Sequence, residues 1–293
     1  LPGETSTTGC LYLVATPIGN LEDITLRALR VLREADVVAC EDTRQTQILL
    51  RHYDMQKRLV SYHEHNELTR AAELVIELEQ GARVALVSDA GTPVISDPGH
   101  RLVALCLRHH IPVVPVPGAS AFVAALAASG MPANEFLFVG FLPSRAGERR
   151  RALAALAAHP GTLVFYEAPH RLVAMLEDAR EILGNRNAVV AREVTKRHEE
   201  FLRGTLSELQ DQFERRAPRG EITVLIAPRA PAATRAPAAN GALARRVAEL
   251  VHSAGLDQKT ALKQAAREFG VTRREAYQLL LREKAVAHTP GSN

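Results

Sequence analysis

Four short segments of this 293-residue chain set carboxylates close to cations or imidazoles. They are "CEDTR" (Glu41, Asp42, Arg44), "YHEHNE" (His63, His65), "YEAPHR" (Glu167, Arg171) and "AREVTK" (Glu193, Lys196). Such groups can move a proton or hold an anion. Three other segments are built from glycine, proline and small residues: "TPIGN" with Pro17, "VSDAGTPVISDPG" with Asp89, Gly91 and Thr92, and "VPGASA" with Ala119, Ser120 and Ala121. Glycine in such loops lets the backbone approach a ligand closely. Several common chemistries lack their residues. There is no G-x-x-x-x-G-K-[ST] and no G-x-G-x-x-G after the first strand, so phosphate-loop hydrolysis and dinucleotide binding lose support. The histidine-rich segment lacks H-E-x-x-H spacing and has no Cys-x-x-Cys beside it, so no metal is expected. "GASAF" lacks the final glycine of a nucleophile elbow.

The elements that must position these loops follow from periodicity. "LYLVA" (11–15), "VVAC" (37–40), "LVSY" (59–62), "VALVS" (84–88) and "PVVPV" (112–116) read as buried strands, and the stretches between them carry apolar residues at helical spacing. This is the βαβα rhythm of a mostly parallel sheet covered by helices. A second series, "EFLFVGF", "GTLVFYE", "NAVVARE" and "EITVLIA", follows a hinge expected near 129–134; "HEEFLRG" adds a strand that makes its sheet mixed. Almost all the unusual loops follow strand ends, and in open α/β sheets the crevice beyond the strand carboxyl ends is where ligands bind. Asp97 and Pro98 read as the N-cap and first turn of the next helix, so that break looks structural.

The expected organisation is a flexible start (1–9), an α/β domain (10–130), a second α/β domain (131–228), a Pro/Ala linker (229–241) and a basic helical module (242–286) whose last two helices have helix-turn-helix spacing. With 36 Lys+Arg against 33 Asp+Glu the chain is nearly neutral, yet the module is basic, which fits either a polyanionic partner or a solvated bundle face. The three cysteines lie within or beside apolar segments and suit free thiols in a reducing compartment. "LPGETSTTG" has neither a basic nor an apolar signal region, and the prolines of "IPVVPVPGASAFVAALAASGM" break its one long apolar stretch, so a cytoplasmic protein without membrane spans is expected.

"TPIGNLEDIT", "EDTRQT", "VSDAGTPVISDPG", "VPGASA", "FYEAPHR" and "AREVTK", in this order, resemble the bacterial small-subunit ribosomal RNA methyltransferases that methylate a cytidine 2′-hydroxyl in the decoding region. These are tetrapyrrole-methylase-like (class III) methyltransferases, and the resemblance runs from about Leu11 to Pro228. It implies two α/β domains with S-adenosylmethionine in the cleft between them, a small all-α module at the C-terminus, and a homodimer acting on ribosomal RNA within the 30S subunit. Pro17, Asp89, Gly91, Thr92, Ala119, Ser120 and Ala121 occupy positions that would hold the donor. Tyr166 and Ala191 would wall its adenine side, with Tyr166 equally readable as a core aromatic.

Methyl transfer to a ribose hydroxyl is helped by alignment and by a base or cation at the oxygen. Glu41 or Lys196 is the expected helper. Arg44, His63, His65 and Arg171, with Arg267, Arg273 and Arg274 of the module, are expected at the RNA, although either loop arginine could instead brace its own loop. Two rivals remain: a class III methylase of a tetrapyrrole or other small molecule, and a helix-turn-helix regulator with a ligand-sensing body.

Overall fold

The computed structural model describes residues 9–229, 242–269, 271 and 276–280. The expected flexible start before residue 9 and the linker over 230–241 lie outside the described residues. The chain divides after Arg229 into two compact units.

The first unit opens with β1 (Cys10–Val14), α1 (Leu26–Glu34), β2 (Val37–Cys40), α2 (Thr43–His52) and β3 (Arg58–Ser61). It continues with α3 (Glu67–Glu79), β4 (Arg83–Leu86), α4 (His100–Arg108) and β5 (Val113–Val116). The five strands form one parallel sheet in the order β3-β2-β4-β1-β5. Both faces are covered, which is why strands such as Val37–Cys40 are apolar at every position. Alternate residues serve opposite faces: Leu11, Ala39, Val84 and Leu86 pack under α3 and α4, while Val14, Val38, Cys40 and Ala85 pack under α1 and α2. Helix α3 shows the matching stripe, burying Ala71, Leu74, Val75 and Leu78.

The second sheet follows: α5 (Ala121–Ser129), β6 (Phe136–Phe141), α6 (Ala146–Leu156), β7 (Thr162–Glu167), α7 (Leu172–Leu183), β8 (Asn187–Arg192), β9 (Glu200–Thr205), α8 (Leu206–Arg215) and β10 (Ile222–Ile226). Its order is β6-β7-β10-β8-β9, with β6 and β7 parallel and every other pair antiparallel. Helices α6, α7 and α8 bury Leu163, Phe165, Val190 and Val224 on one face. The other face is covered by α5, through Ala125 and Leu126, and by Ile18 from the loop after β1. Helix α5, which precedes the expected hinge at 129–134, thus packs on the second sheet. The reason is that "AFVAALAAS" is apolar nearly all round and must be buried, and the open face of the second sheet is what buries it.

The second unit contains α9 (Ala242–Ala254) and α10 (Gln258–Glu268), and residues 276–280 are helical. Leu243, Val247, Leu250, Ala261, Leu262 and Ala265 form its core, and Arg246 bridges the helices through Glu268 at 2.7 Å.

One buried ion pair braces the second sheet's helices. Arg149 of α6 meets Asp178 of α7 at 2.7 Å, with both side chains under a tenth exposed, and Arg150 reaches the same carboxylate at 2.7 Å. Replacing Asp178 with Ala leaves a buried guanidinium uncompensated, which costs roughly 3–5 kcal/mol. Urea unfolding of Asp178→Ala should show that loss.

Candidate functional site

The parallel order puts β1 between β4 and β5, so the loops leaving those three strands sit side by side at the carboxyl edge. Backbone hydrogen bonds lock them. The Thr16 N–H donates to the Gly91 carbonyl at 2.8 Å, and the Gly91 N–H returns the bond to Thr16 at 3.1 Å. The Thr16 hydroxyl donates to the Ser88 carbonyl at 3.1 Å, and the Thr92 hydroxyl donates to the Ala119 carbonyl at 3.3 Å. Gly91 holds φ +86°, and a Cβ there would stand 3.3 Å from the Ile18 side chain. Val94 and Ser96 also take left-handed φ values, 75° and 65°, which non-glycine residues adopt at a cost that surrounding contacts must offset.

Facing these loops across a cavity of about 320 Å³ is the edge of the second sheet. The first side of the cavity is Ile18, Ala90, Gly91, Thr92, Ile95, Ser96 and Asp97, with Ser120 and Ala121 at the start of α5. The far side is Phe141, Tyr166, Glu167, Ala168, Pro169, Val194 and the run Gly220, Glu221, Ile222, Thr223. The volume is of the size that holds a small organic ligand.

Of the expected donor-binding residues, Gly91, Thr92, Ser120, Ala121 and Tyr166 line this cavity. Tyr166 packs edge-on against Phe138, with ring centroids 5.0 Å apart, and burial followed by the charge of Asp97 raises its hydroxyl pKa. Pro17, Asp89, Ala119 and Ala191 are absent from the lining. Pro17 is buried in its loop, Ala119 supplies the carbonyl that Thr92 grips, and Ala191 is fully buried in the core beneath α5. Asp89 accepts a hydrogen bond from the Asp42 N–H at 3.0 Å and so ties the loop after β2 to the loop after β4.

The two expected proton-transfer residues stand elsewhere. The Lys196 ammonium lies 3.1 Å from Glu193 and 3.0 Å from Glu221, with its stem against Gly19. Burial would lower its pKa, but hydrogen bonds to Glu221 and Glu193 outweigh that and raise it, which favours its charged form. Glu41 is half-buried at the end of β2 and outside the cavity lining; burial, then Asp89 and Glu64, raise its pKa.

The arginines divide. Arg171 lies 3.1 Å from the fully buried Glu167 carboxylate and donates to the Leu142 and Pro143 carbonyls, so it braces the second sheet. Arg44 pairs with Asp42 at 2.7 Å, yet its side chain is 89% exposed. Asp42 caps α2, and its hydrogen bonds with Arg44 hold its carboxyl down at about 2. His63 is held by Asn66 at 3.2 Å and meets His65 edge-on at 5.9 Å. Arg267 is exposed on α10, while Arg273 and Arg274 lie outside the described residues.

Asp97 departs most from expectation. The N-cap of α4 is Gly99, at φ +139° and with no side-chain capping bond; a Cβ there would come within 2.8 Å of Leu86 and Val94. Asp97 is thereby released from capping and placed in the cavity wall. The second proline-glycine break is part of the site, not only a helix start. Burial, and then the charge of Glu41, push the Asp97 carboxyl up to about 6, partly offset by a hydrogen bond with Ser88.

The residues that sequence reasoning missed are chiefly Glu221, Ile222 and Thr223. They sit at the beginning of β10, and only its antiparallel pairing brings that beginning beside the end of β7, Ile222 facing Glu167. Among the described residues no His/Cys/Asp/Glu group could hold a metal, and no helix is long and apolar enough to cross a membrane.

A parallel α/β sheet whose loops face a second, mixed sheet across a small-molecule cleft is the architecture of a class III methylase. The chain belongs to the tetrapyrrole (corrin/porphyrin) methylase family, which it matches over residues 10–210. It is 47% identical over 277 residues to ribosomal RNA small subunit methyltransferase I of Halalkalibacterium halodurans, covering 94% of this chain and 96% of that one. It is 54% identical over 220 residues to the protein of the same name from Micromonospora olivasterospora, covering 75% and 70%. A solved cobalt precorrin-4 methyltransferase shares the fold with a TM-score of 0.59 and 19% identity, over 78% of this chain and 98% of that one.

The raised Asp97 pKa sets a sign for stability. A carboxyl held at about 6 when folded, against the ordinary 3.8, favours the folded state below the lower value, and that benefit is lost as pH rises through the higher one. Asp97→Asn should therefore melt at a higher temperature than the parent at pH 8 and at the same temperature near pH 3, as read by calorimetry.

Proposed function

We propose that this protein transfers a methyl group from S-adenosylmethionine to the 2′-hydroxyl of a cytidine ribose in the decoding region of small-subunit ribosomal RNA, acting as a homodimer on the 30S subunit. The observation that carries the reading is the cleft. It joins close backbone at Gly91, the free N–H groups opening α5 at Ser120 and Ala121, and an apolar wall of Ile18, Tyr166 and Val194. These features suit a zwitterionic nucleoside. Helix-terminal N–H groups favour a carboxylate, and the apolar wall suits a purine face. The names of the 47% and 54% identical relatives support ribosomal RNA as the acceptor.

The donor supplies a methyl already activated on a positive sulfur. The chain's own residues supply alignment, since bringing the hydroxyl and methyl into line accounts for much of the acceleration such transfers need. Gly91, Thr92, Ser120, Ala121 and Tyr166 hold the donor, with Pro17, Asp89 and Ala119 shaping the loops behind them. Arg44, His63 and His65, exposed or half-exposed beyond the strand ends, face the RNA. In the second unit, Lys259, Lys263 and Arg267 repeat every fourth residue of α10 and are all exposed, a stripe suited to phosphates, and Arg273 and Arg274 extend the basic run in sequence.

Labelled donor incubated with 30S subunits, naked ribosomal RNA, duplex DNA and a tetrapyrrole should label the 30S subunit above the rest. Mass spectrometry of the nucleosides should then find 2′-O-methylcytidine. Label on a base, or on the tetrapyrrole alone, refutes the proposal. Removing residues 230–293 should spare binding of S-adenosylhomocysteine, measured by calorimetry. It should flatten the salt dependence of RNA binding by about 0.7–0.9 logarithmic units of slope per lost phosphate contact.

A further inference from the structure

We propose that Asp97 is the catalytic base that takes the proton from the acceptor hydroxyl. This rests on the methyl-transfer function proposed above. Three observations place it. Asp97 is a half-buried carboxylate in the wall of the donor cavity, whereas Glu41 lies outside the lining and Lys196 is neutralised by two glutamates. The backbone that presents it is left-handed at Val94 and Ser96, a cost for non-glycine residues, and turns at φ +139° in Gly99 beyond it, so its direction is set by the fold. The helix-capping role that its position in "SDPG" suggests is not exercised, because Gly99 occupies the N-cap and makes no side-chain bond.

The charged and titratable groups acting on Asp97 come from its own loop and from two other strand ends. Glu41 at the end of β2 and Asp89 after β4 repel its charge, and Tyr166 ends β7 on the opposite wall. Burial, and then like charges, keep the carboxylate more basic than usual, the direction a general base near neutral pH requires.

In the reaction the hydroxyl O–H bond breaks and its proton passes to the Asp97 carboxylate. The oxygen–carbon bond forms as the carbon–sulfur bond breaks, and that electron pair stays on sulfur as a neutral thioether. The carboxyl then releases its proton to solvent, closing the cycle without any other reactant.

The test compares wild type and Asp97→Asn in single-turnover methyl transfer to 30S subunits from pH 5 to 9, with calorimetry of S-adenosylhomocysteine. A carboxyl carbon-13 titration of the ligand-free protein accompanies them. Wild-type rates should rise tenfold per pH unit to a plateau with a midpoint near 6, matching the Asp97 signal. Asp97→Asn should lose at least about 100-fold of the plateau rate, the scale of a lost general base. Its affinity for S-adenosylhomocysteine should stay within about threefold of wild type, about a quarter or less of that rate effect on a logarithmic scale. Any of three results overturns the assignment: a variant rate close to wild type, a rate loss matched by an equal loss of affinity, or an Asp97 signal titrating at the ordinary 3.8. A wild-type protein that methylates no RNA would instead refute the function on which the assignment rests.

Discussion

The two-way backbone pairing of Thr16 with Gly91 is the constraint on which the site depends. It joins the loops after two adjacent parallel strands as if they were a short antiparallel ladder. Once it forms, Gly91 must take a left-handed φ and the chain beyond it must fold back over the crevice. Ile18, two residues after Thr16, is then carried onto the open face of the second sheet, where it packs with Leu126, Val164 and Val189. One local backbone arrangement thus shapes the cavity and also fastens one sheet to the other. Apolar burial drives the fastening, and hydrogen bonding decides where it happens.

Charge is distributed unevenly around this frame. On the side of the second sheet, Lys196, Glu193 and Glu221 satisfy one another, and Arg171 is spent on Glu167 and two carbonyls. On the side of the first sheet, Glu41, Asp89 and Asp97 act on one another without a matched cation in the cavity wall. A carboxylate so placed costs stability, and sites that tolerate such a cost are disproportionately functional. Arg44, on the helix that follows Glu41, is turned to solvent and held by Asp42.

Much of this was readable beforehand. The strand rhythm, the mixed second sheet and the convergence of loops at strand ends all follow from apolar runs, helical spacing and the placement of glycine and proline. Those signals are local, so they survive without knowledge of neighbours. Reading residue roles was harder where a role depended on which partner arrived first. Lys196 and Glu41 look alike as proton acceptors in sequence; only in space does one acquire two carboxylates and the other fall outside the wall. Asp97 looked like a helix cap because Asp-Pro at a helix start usually is one, and the left-handed turn through Ser96 and Gly99 redirected it.

The sequence by itself determined that two sheets form, where their strands lie, and which loops carry the unusual residues, because those features depend on the periodicity of neighbouring side chains along the chain. Tertiary structure alone decided that α5 belongs to the second sheet's core, that the start of β10 joins the cavity, and that Asp97 faces the ligand space. Each of these needs contacts between residues far apart in sequence: an apolar helix seeking the one uncovered face, an antiparallel register reversing which strand end meets the cleft, and the charge of Glu41 after β2 brought close to the acidic loop after β4.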